Sequence, residues 1–389
     1  MRWLPLVVLA GCSFSHGSAP LTSDAQTSDD DGSVVMDPDA GGVVEIDAPP
    51  PDPTRVRAIA LSGAQVIGGP HANFPLLVSL SATWLRPRAN GGDVSRADGF
   101  DIYFSSDQAG AMKLAHEVES YVPASGELIA WVKVPSLTAS TTIYIHYGDP
   151  GLTTDPQNVA GVWSANYQGV FHLDSAVDST GKNTAAAMTS GTVAGRIGKA
   201  RSFDGADDVI DLGSASAIDN LFSGGGTAEA WFYATTWGES SHGRIFDKGH
   251  DTGWSLWVDN VEVQQSMGFL HGGGGNSWGF WSSPAQSVTL NAWHHVAVVY
   301  NKNTSGNNAT LYLDGSAVTT TRIDNPSGTM DDDSSHSLGA GNRAATDRAF
   351  EGMLDELRLS SSTRSAGWIE TGFRNQSSPG TFYTVSAPL

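Results

Sequence analysis

"NAWHHVAVVYN" at residues 291–301 and "TLYLDGSAV" at 310–318 decide the fold class: both are short apolar runs rich in β-branched residues, bounded by Asn, Asp and Gly. Outward from them lie "ARSFDG" (200–205), "DVIDLG" (208–213), "AEAWFYAT" (228–235), "GWSLWVD" (253–259) and "GMLDELRLS" (352–360). Their lengths and spacing are those of a two-sheet sandwich. Trp231 and Trp293 sit on these strands beside apolar neighbours and are expected in the core.

The region before them has the same character. "RVRAIAL" (55–61), "FPLLVSL" (74–80), "FDIYFSS" (100–106), "ELIAWVKV" (127–134) and "TTIYIHYG" (141–148) alternate in places with period two, and Gly148 and Pro150 close the set. A short helix, "SAGWIETGF" (365–373), is expected after the last strand, stopped by Gly372 and the following "SSPGT".

Taken in order, "FDGADDVIDLG", "NAWHHVAVVYN", "TLYLDGSAV", "SLGAG" and "FEGMLDELRLSSSTRS" resemble the laminin-G-like, concanavalin A-type lectin and glucanase fold over about residues 165 to 385. "NFPLLVSL", "DGFDIYFSS", "LIAWVKVPSLTASTTIYIHYGDP" and "GVW" resemble a bacterial envelope domain of unknown function, commonly placed before such a jelly roll. The expected fold class is therefore all-β: two tandem β-sandwich domains at 54–163 and 164–389, the second a concanavalin A-like jelly roll.

The first 53 residues read differently. "MRWLPLVVLAGC" joins one basic residue and an apolar run to Leu9-Ala10-Gly11-Cys12, which resembles a bacterial lipobox. It implies a signal peptide over 1–12 and a lipid on Cys12, the only cysteine, so no internal disulfide is available. Residues 13–53 hold nine acidic residues and no Lys or Arg, and they read as a disordered acidic tether. The chain carries a net charge of −20 and no basic run, which argues against a nucleic-acid partner. The expected location is the cell envelope, as an outer-membrane lipoprotein of a Gram-negative-like bacterium.

Catalytic motifs are sparse. Glycosidases of the resembled fold set paired carboxylates at alternate strand positions, whereas Asp355 and Glu356 are adjacent and are expected to point to opposite faces, with Glu351 nearby. The sequence contains neither a His-Glu-x-x-His zinc motif nor a Gly-x-Ser-x-Gly elbow, and no enzyme activity is expected. The resemblance implies a structural calcium ion where first and last strands meet, with Asp174, Asp178 and Asp355 as ligands; turn formation is the other reading of the first two. "DGADD" (204–208) and "DDD" (331–333) are competing acidic loops.

"HGGGGNSWGFW" (271–281) lacks the Lys and following helix of a phosphate cradle, which leaves a hairpin end or a sugar platform. Seven of the twelve tryptophans fall between 231 and 293, and a flat indole stacks well on a pyranose. Trp254, Trp257, Trp278 and Trp281, placed in or beside loops together with His271 and Asn276, form the expected ligand set. The expected function is non-catalytic binding of a glycan or surface polymer. The rivals are a structural or adhesive module gripping a protein partner, and a divergent glycoside hydrolase.

Overall fold

The structure is a computed structural model that describes residues 54–184, 188–249, 252–273, 277–303, 307–324, 332–343 and 347–389, together with an antiparallel strand pair, Val34–Met36 with Val43–Glu45. That pair belongs to one compact unit, Met1–Pro51; Asp52–Leu389 forms a second. Cys12 and most of the acidic tether lie outside the described residues.

The fold is all-β. In the larger unit, two antiparallel sheets of the C-terminal part face each other. The inner sheet runs Gly191–Ala194, Lys199–Asp204, Glu351–Ser360, Gly226–Ala234, Trp293–Tyr300, Thr310–Leu313, Ser316–Ala317. The outer sheet runs Ile210–Asp211, Gly339–Ala340, Arg244–Asp247, Trp254–Asp259, Ser266–Gly273, Ser277–Ser282, Thr321–Asp324. Phe232, Val296, Val298, Leu311, Leu354 and Leu357 of the first meet Trp254, Leu256, Phe269 and Trp281 of the second in one continuous core. Trp231 is buried as expected, although on the face away from that core, where its Nε1 donates to Gln376 Oε1 at 2.7 Å; Trp293 is half-buried.

One edge of Glu351–Ser360 is shared end to end. Lys199–Asp204 pairs with its first half and Tyr167–Phe171 with its second, so Asp355 and Glu356 fall in the gap between the two partners. On the opposite edge the register to Gly226–Ala234 shifts between Glu229 and Trp231, and Glu356 takes a left-handed φ of 52°. A bulge of this kind breaks strand alternation and re-aims side chains.

The N-terminal part is a three-stranded sheet, His71–Ser81, Glu127–Leu137, His116–Val122, packed on a four-stranded one. Two tandem domains with a boundary near residue 164 would leave the C terminus in the jelly roll, but the chain returns. Tyr383–Val385 pairs with Arg55–Leu61 and completes the four-stranded sheet. Asn375 bonds both backbone groups of Leu77, and Tyr383 does the same for Ser79. The helix is also longer than expected, Ala366–Ser377, with Ser365 as N-cap through Trp368 N. Gly372 sits inside it without stopping it, because packing of Trp368, Ile369 and Thr371 against the N-terminal part outweighs the roughly 1 kcal/mol propensity cost.

Candidate functional site

The outer sheet turns a second face away from the core, and there Trp257, Leu270 and Phe280 form a small apolar cluster joined by half-buried Trp278. Pairing explains the cluster: Trp257 stands opposite Arg244 on one neighbour and Gly268 on the other, Leu270 opposite Phe280, and Gly272 opposite Trp278. The Trp257 indole lies across Gly268, where an added Cβ would come within 2.3 Å of its ring atoms. Only a residue without a side chain fits beneath that ring.

These residues floor a cavity of about 390 Å³ rimmed by His242, Arg244, Glu262, Ile323, Asp324 and Arg348. The Arg244 guanidinium lies 4.6 Å over the Trp257 ring and bonds Asp247 at 3.1 Å. Burial pulls its pKa down to about 10, so it stays charged at neutral pH. His242 Nε2 meets Glu262 Oε2 at 2.8 Å. Burial disfavours the Glu262 carboxylate, but the hydrogen bond and charge of His242 hold its pKa below the usual range. Indole face, aliphatic floor and rim groups of both signs suit a ligand with apolar C–H faces and many hydroxyls.

The expected set divides at this sheet. Trp257 and Trp278 line the cavity, whereas Trp254 and Trp281 point into the core, each fully buried. None of the four is in a loop: Trp254 and Trp257 lie on Trp254–Asp259, Trp278 and Trp281 on Ser277–Ser282. Residues three apart on a strand face opposite ways, and each pair is split accordingly. His271 is buried, with Nδ1–H donating to the Gly272 carbonyl at 2.9 Å. Gly274, Gly275 and Asn276 lie outside the described residues, while Gly272 and Gly273 belong to Ser266–Gly273 and pair with Trp278 and Ser277 of Ser277–Ser282. The rim residues His242, Glu262, Asp324 and Arg348 come from four separate segments, and no single stretch of sequence announces them.

The expected calcium ligands do not converge. Asp178 Oδ1 accepts from Val170 N and Thr180 N, and Oδ2 from Thr180 Oγ1, Lys182 N, Asn183 N and Asn183 Nδ2. A carboxylate saturated by six donors is organising a turn, since those donors occupy the places a cation would need. Asp174 is exposed, and Asp355 is buried elsewhere with Oδ2 accepting from Ile197 N at 2.9 Å. Among the described residues, three groups bring metal-capable atoms close together: Glu119, His172 and Glu356; His242, Asp259 and Glu262 beside the cavity; and Asp204, Asp207 and Asp208 in the acidic turn.

The first group belongs to a buried network that the sequence did not reveal. His172 Nδ1 lies 2.7 Å from Glu356 Oε1 and 3.6 Å from Glu119 Oε2, and its Nε2 lies 3.3 Å from Glu117 Oε2. Glu117 also accepts from Trp163 Nε1 and Ser179 Oγ, and Glu119 from Trp131 Nε1. Arg358 bonds Glu356 Oε2 at 2.6 Å and lies over the Trp131 and Trp163 rings. Asp355 and Glu356 are not insulated from each other by the sheet. Burial first, and the Glu356 charge second, push the Asp355 carboxyl well above the carboxylate range.

Residues 204–370 match the family model of the concanavalin A-like lectin/glucanases superfamily (Laminin_G_3), and residues 98–185 match the domain of unknown function DUF2341. No curated protein matches the chain. Similar solved structures include Domain 4 of AbnA, a GH43 extracellular arabinanase from Geobacillus stearothermophilus, in complex with arabinotriose (18% identity, 54% of this chain and 98% of that one, TM-score 0.40). The binding domain of Paraclostridial Mosquitocidal Protein 1 shares 14% identity over 54% of this chain and 52% of its own, with a TM-score of 0.41. The botulinum neurotoxin serotype D ligand binding domain in complex with N-acetylneuraminic acid shares 11% over 56% and 53%, at 0.42. The chain spans about half the length of the two toxin domains it matches. The two family models thus match in tandem: the concanavalin A-like lectin/glucanases model over residues 204–370, and the domain of unknown function ahead of it over residues 98–185.

Proposed function

We propose that the chain is a non-catalytic binder of a glycan or glycan-like surface polymer, and that the ligand seats in the cavity over Trp257, Leu270, Trp278 and Phe280. The observation that carries this reading is the outward aromatic face of the outer sheet, ringed by His242, Glu262, Asp324 and Arg348. If about 100 Å² of one indole is covered by a sugar, the gain is roughly 2.5 kcal/mol, short of the roughly 4.1 kcal/mol of a millimolar complex. A second apolar surface and hydrogen bonds from the rim are required, and the cavity offers both.

A glycan array probed with the full chain, beside Trp278→Ala and Arg348→Ala, tests it. Loss of a specific signal in both variants, with melting unchanged, is the expected result. Absence of any glycan signal from the wild type, or equal binding by all three proteins, overturns the reading. A lipid on Cys12 holding the chain at an envelope membrane is part of the same proposal; Cys12→Ala that still partitions with membranes would refute that part.

A further inference from the structure

We propose that Glu119, His172 and Glu356 form a binding site for a divalent transition-metal ion of the zinc type, which joins the N-terminal part to the jelly roll. Glu119 comes from His116–Val122, His172 follows Tyr167–Phe171, and Glu356 lies in Glu351–Ser360. Three elements distant in sequence thus each send one ligand to one point.

The imidazole is held as a ligand is held. Its Nε2 faces Glu117 Oε2 at 3.3 Å, and Glu117 is itself fixed by Trp163 Nε1 at 2.6 Å and Ser179 Oγ at 2.6 Å. An Nε2–H donated to that carboxylate fixes the tautomer and leaves the Nδ1 lone pair facing Glu356 Oε1 and Glu119 Oε2. A carboxylate behind the histidine is the usual support of a metal-bound imidazole. The other two ligands are oriented in the same way: Arg358 takes the outer oxygen of Glu356, and Trp131 Nε1 bonds Glu119 at 2.8 Å.

Three acceptors converging on one point require a cation between them, either a proton on His172 or a metal ion. An orphaned atom favours the metal. Among the described residues, Glu119 Oε1, beside the oxygen that Trp131 bonds, has no hydrogen-bond partner although its side chain is only 3% exposed, and the fully buried Asp355 leaves its Oδ1 unpartnered beside Glu356. An unsatisfied buried carboxylate oxygen is costly and calls for a partner. Glu119 is moreover the extra residue of a bulge, since the register to Glu127–Leu137 shifts between Val118 and Ser120. Both carboxylates therefore owe their aim to broken alternation.

A cavity of about 530 Å³ borders one of the three ligands, lined by Glu119, Asp174, Gly198 and Lys199 among others. One imidazole nitrogen with two carboxylates suits zinc, whereas calcium takes an all-oxygen shell of six or more ligands.

The test is calorimetric titration of the metal-stripped full chain with zinc chloride in mildly alkaline buffer, followed by metal analysis after dialysis. Glu119→Gln, His172→Gln and Glu262→Gln are run beside it; the last disables the group at the other cavity. Expected are one zinc per chain, a melting temperature raised by a few degrees, and affinity weakened at least about tenfold in Glu119→Gln and His172→Gln but kept in Glu262→Gln. Calcium should give no such binding. Glu119→Gln is nearly isosteric and still accepts from Trp131, so it decides the matter if His172→Gln fails to fold. No zinc uptake by the wild type, uptake unchanged in Glu119→Gln, or uptake lost with Glu262→Gln overturns the proposal and leaves His172 as a protonated counterion.

Discussion

The two tryptophans of "WGFW" face opposite ways, and single substitutions separate them. Trp278→Ala is expected to weaken glycan binding about 10- to 100-fold while moving the melting temperature little, because its ring is half-buried at the cavity floor. Trp281→Ala opens a void against Phe269 and Tyr300 and removes the bond to Asn308, so it should cost about 3 to 5 kcal/mol in chemical denaturation. Equal destabilisation by both would contradict this division. Gly268→Ala is a third case: the methyl meets the Trp257 ring, and the expected outcome is a loss of about 1 to 3 kcal/mol together with weakened ligand binding as the indole tilts.

At the scale of elements, the strands hold buried histidines that must stay neutral. Burial lowers His271 to about 4, and lowers His295 to about 3 with Arg358 adding to the effect. Both folded values lie below the ordinary value of an unfolded histidine. The unfolded chain therefore takes up protons first as pH falls, and native stability is lost from about pH 6.5 downward, by up to about 1.4 kcal/mol per pH unit for each ring. Melting scans across that acid range should show the slope, and His295→Gln should lessen it. A profile unchanged by that variant would show that His295 does not set the acid limb. Trp254 with Trp257, and Trp278 with Trp281, are each three apart, which on a strand splits a pair between faces. The sequence held that information, but placing these residues in loops concealed it. Asp355 and Glu356 are the reverse case: alternation reads plainly from the sequence, yet the left-handed φ at Glu356 overrides it, and nothing local in "LDELR" signals the bulge.

For the larger unit, the return of the chain to its starting sheet is the decisive feature. Tyr383 spans 304 residues to bond Ser79 through both N–H and C=O. Tyr383→Phe would leave those half-buried groups unpaired, at a cost of about 1 kcal/mol measured by urea unfolding. A chain ending before residue 364 would lose the Ala366–Ser377 helix and the Tyr383–Val385 strand, and is expected not to give a cooperative transition. A sharp, wild-type-like transition from that truncation would refute the claim that the N-terminal part needs the C terminus.

By itself the sequence determined the all-β class and the burial of Trp231, because strand-length apolar runs and turn residues are local signals, and it carried the resemblance that the family model matches over residues 204–370. Only the tertiary structure decided which face each tryptophan takes, why Asp178 serves a turn, and that Glu117, Glu119, His172 and Glu356 meet. Such sites are assembled from strands far apart in the chain and are aimed by bulges and register, which depend on long-range pairing and leave no mark on the short stretches that carry them.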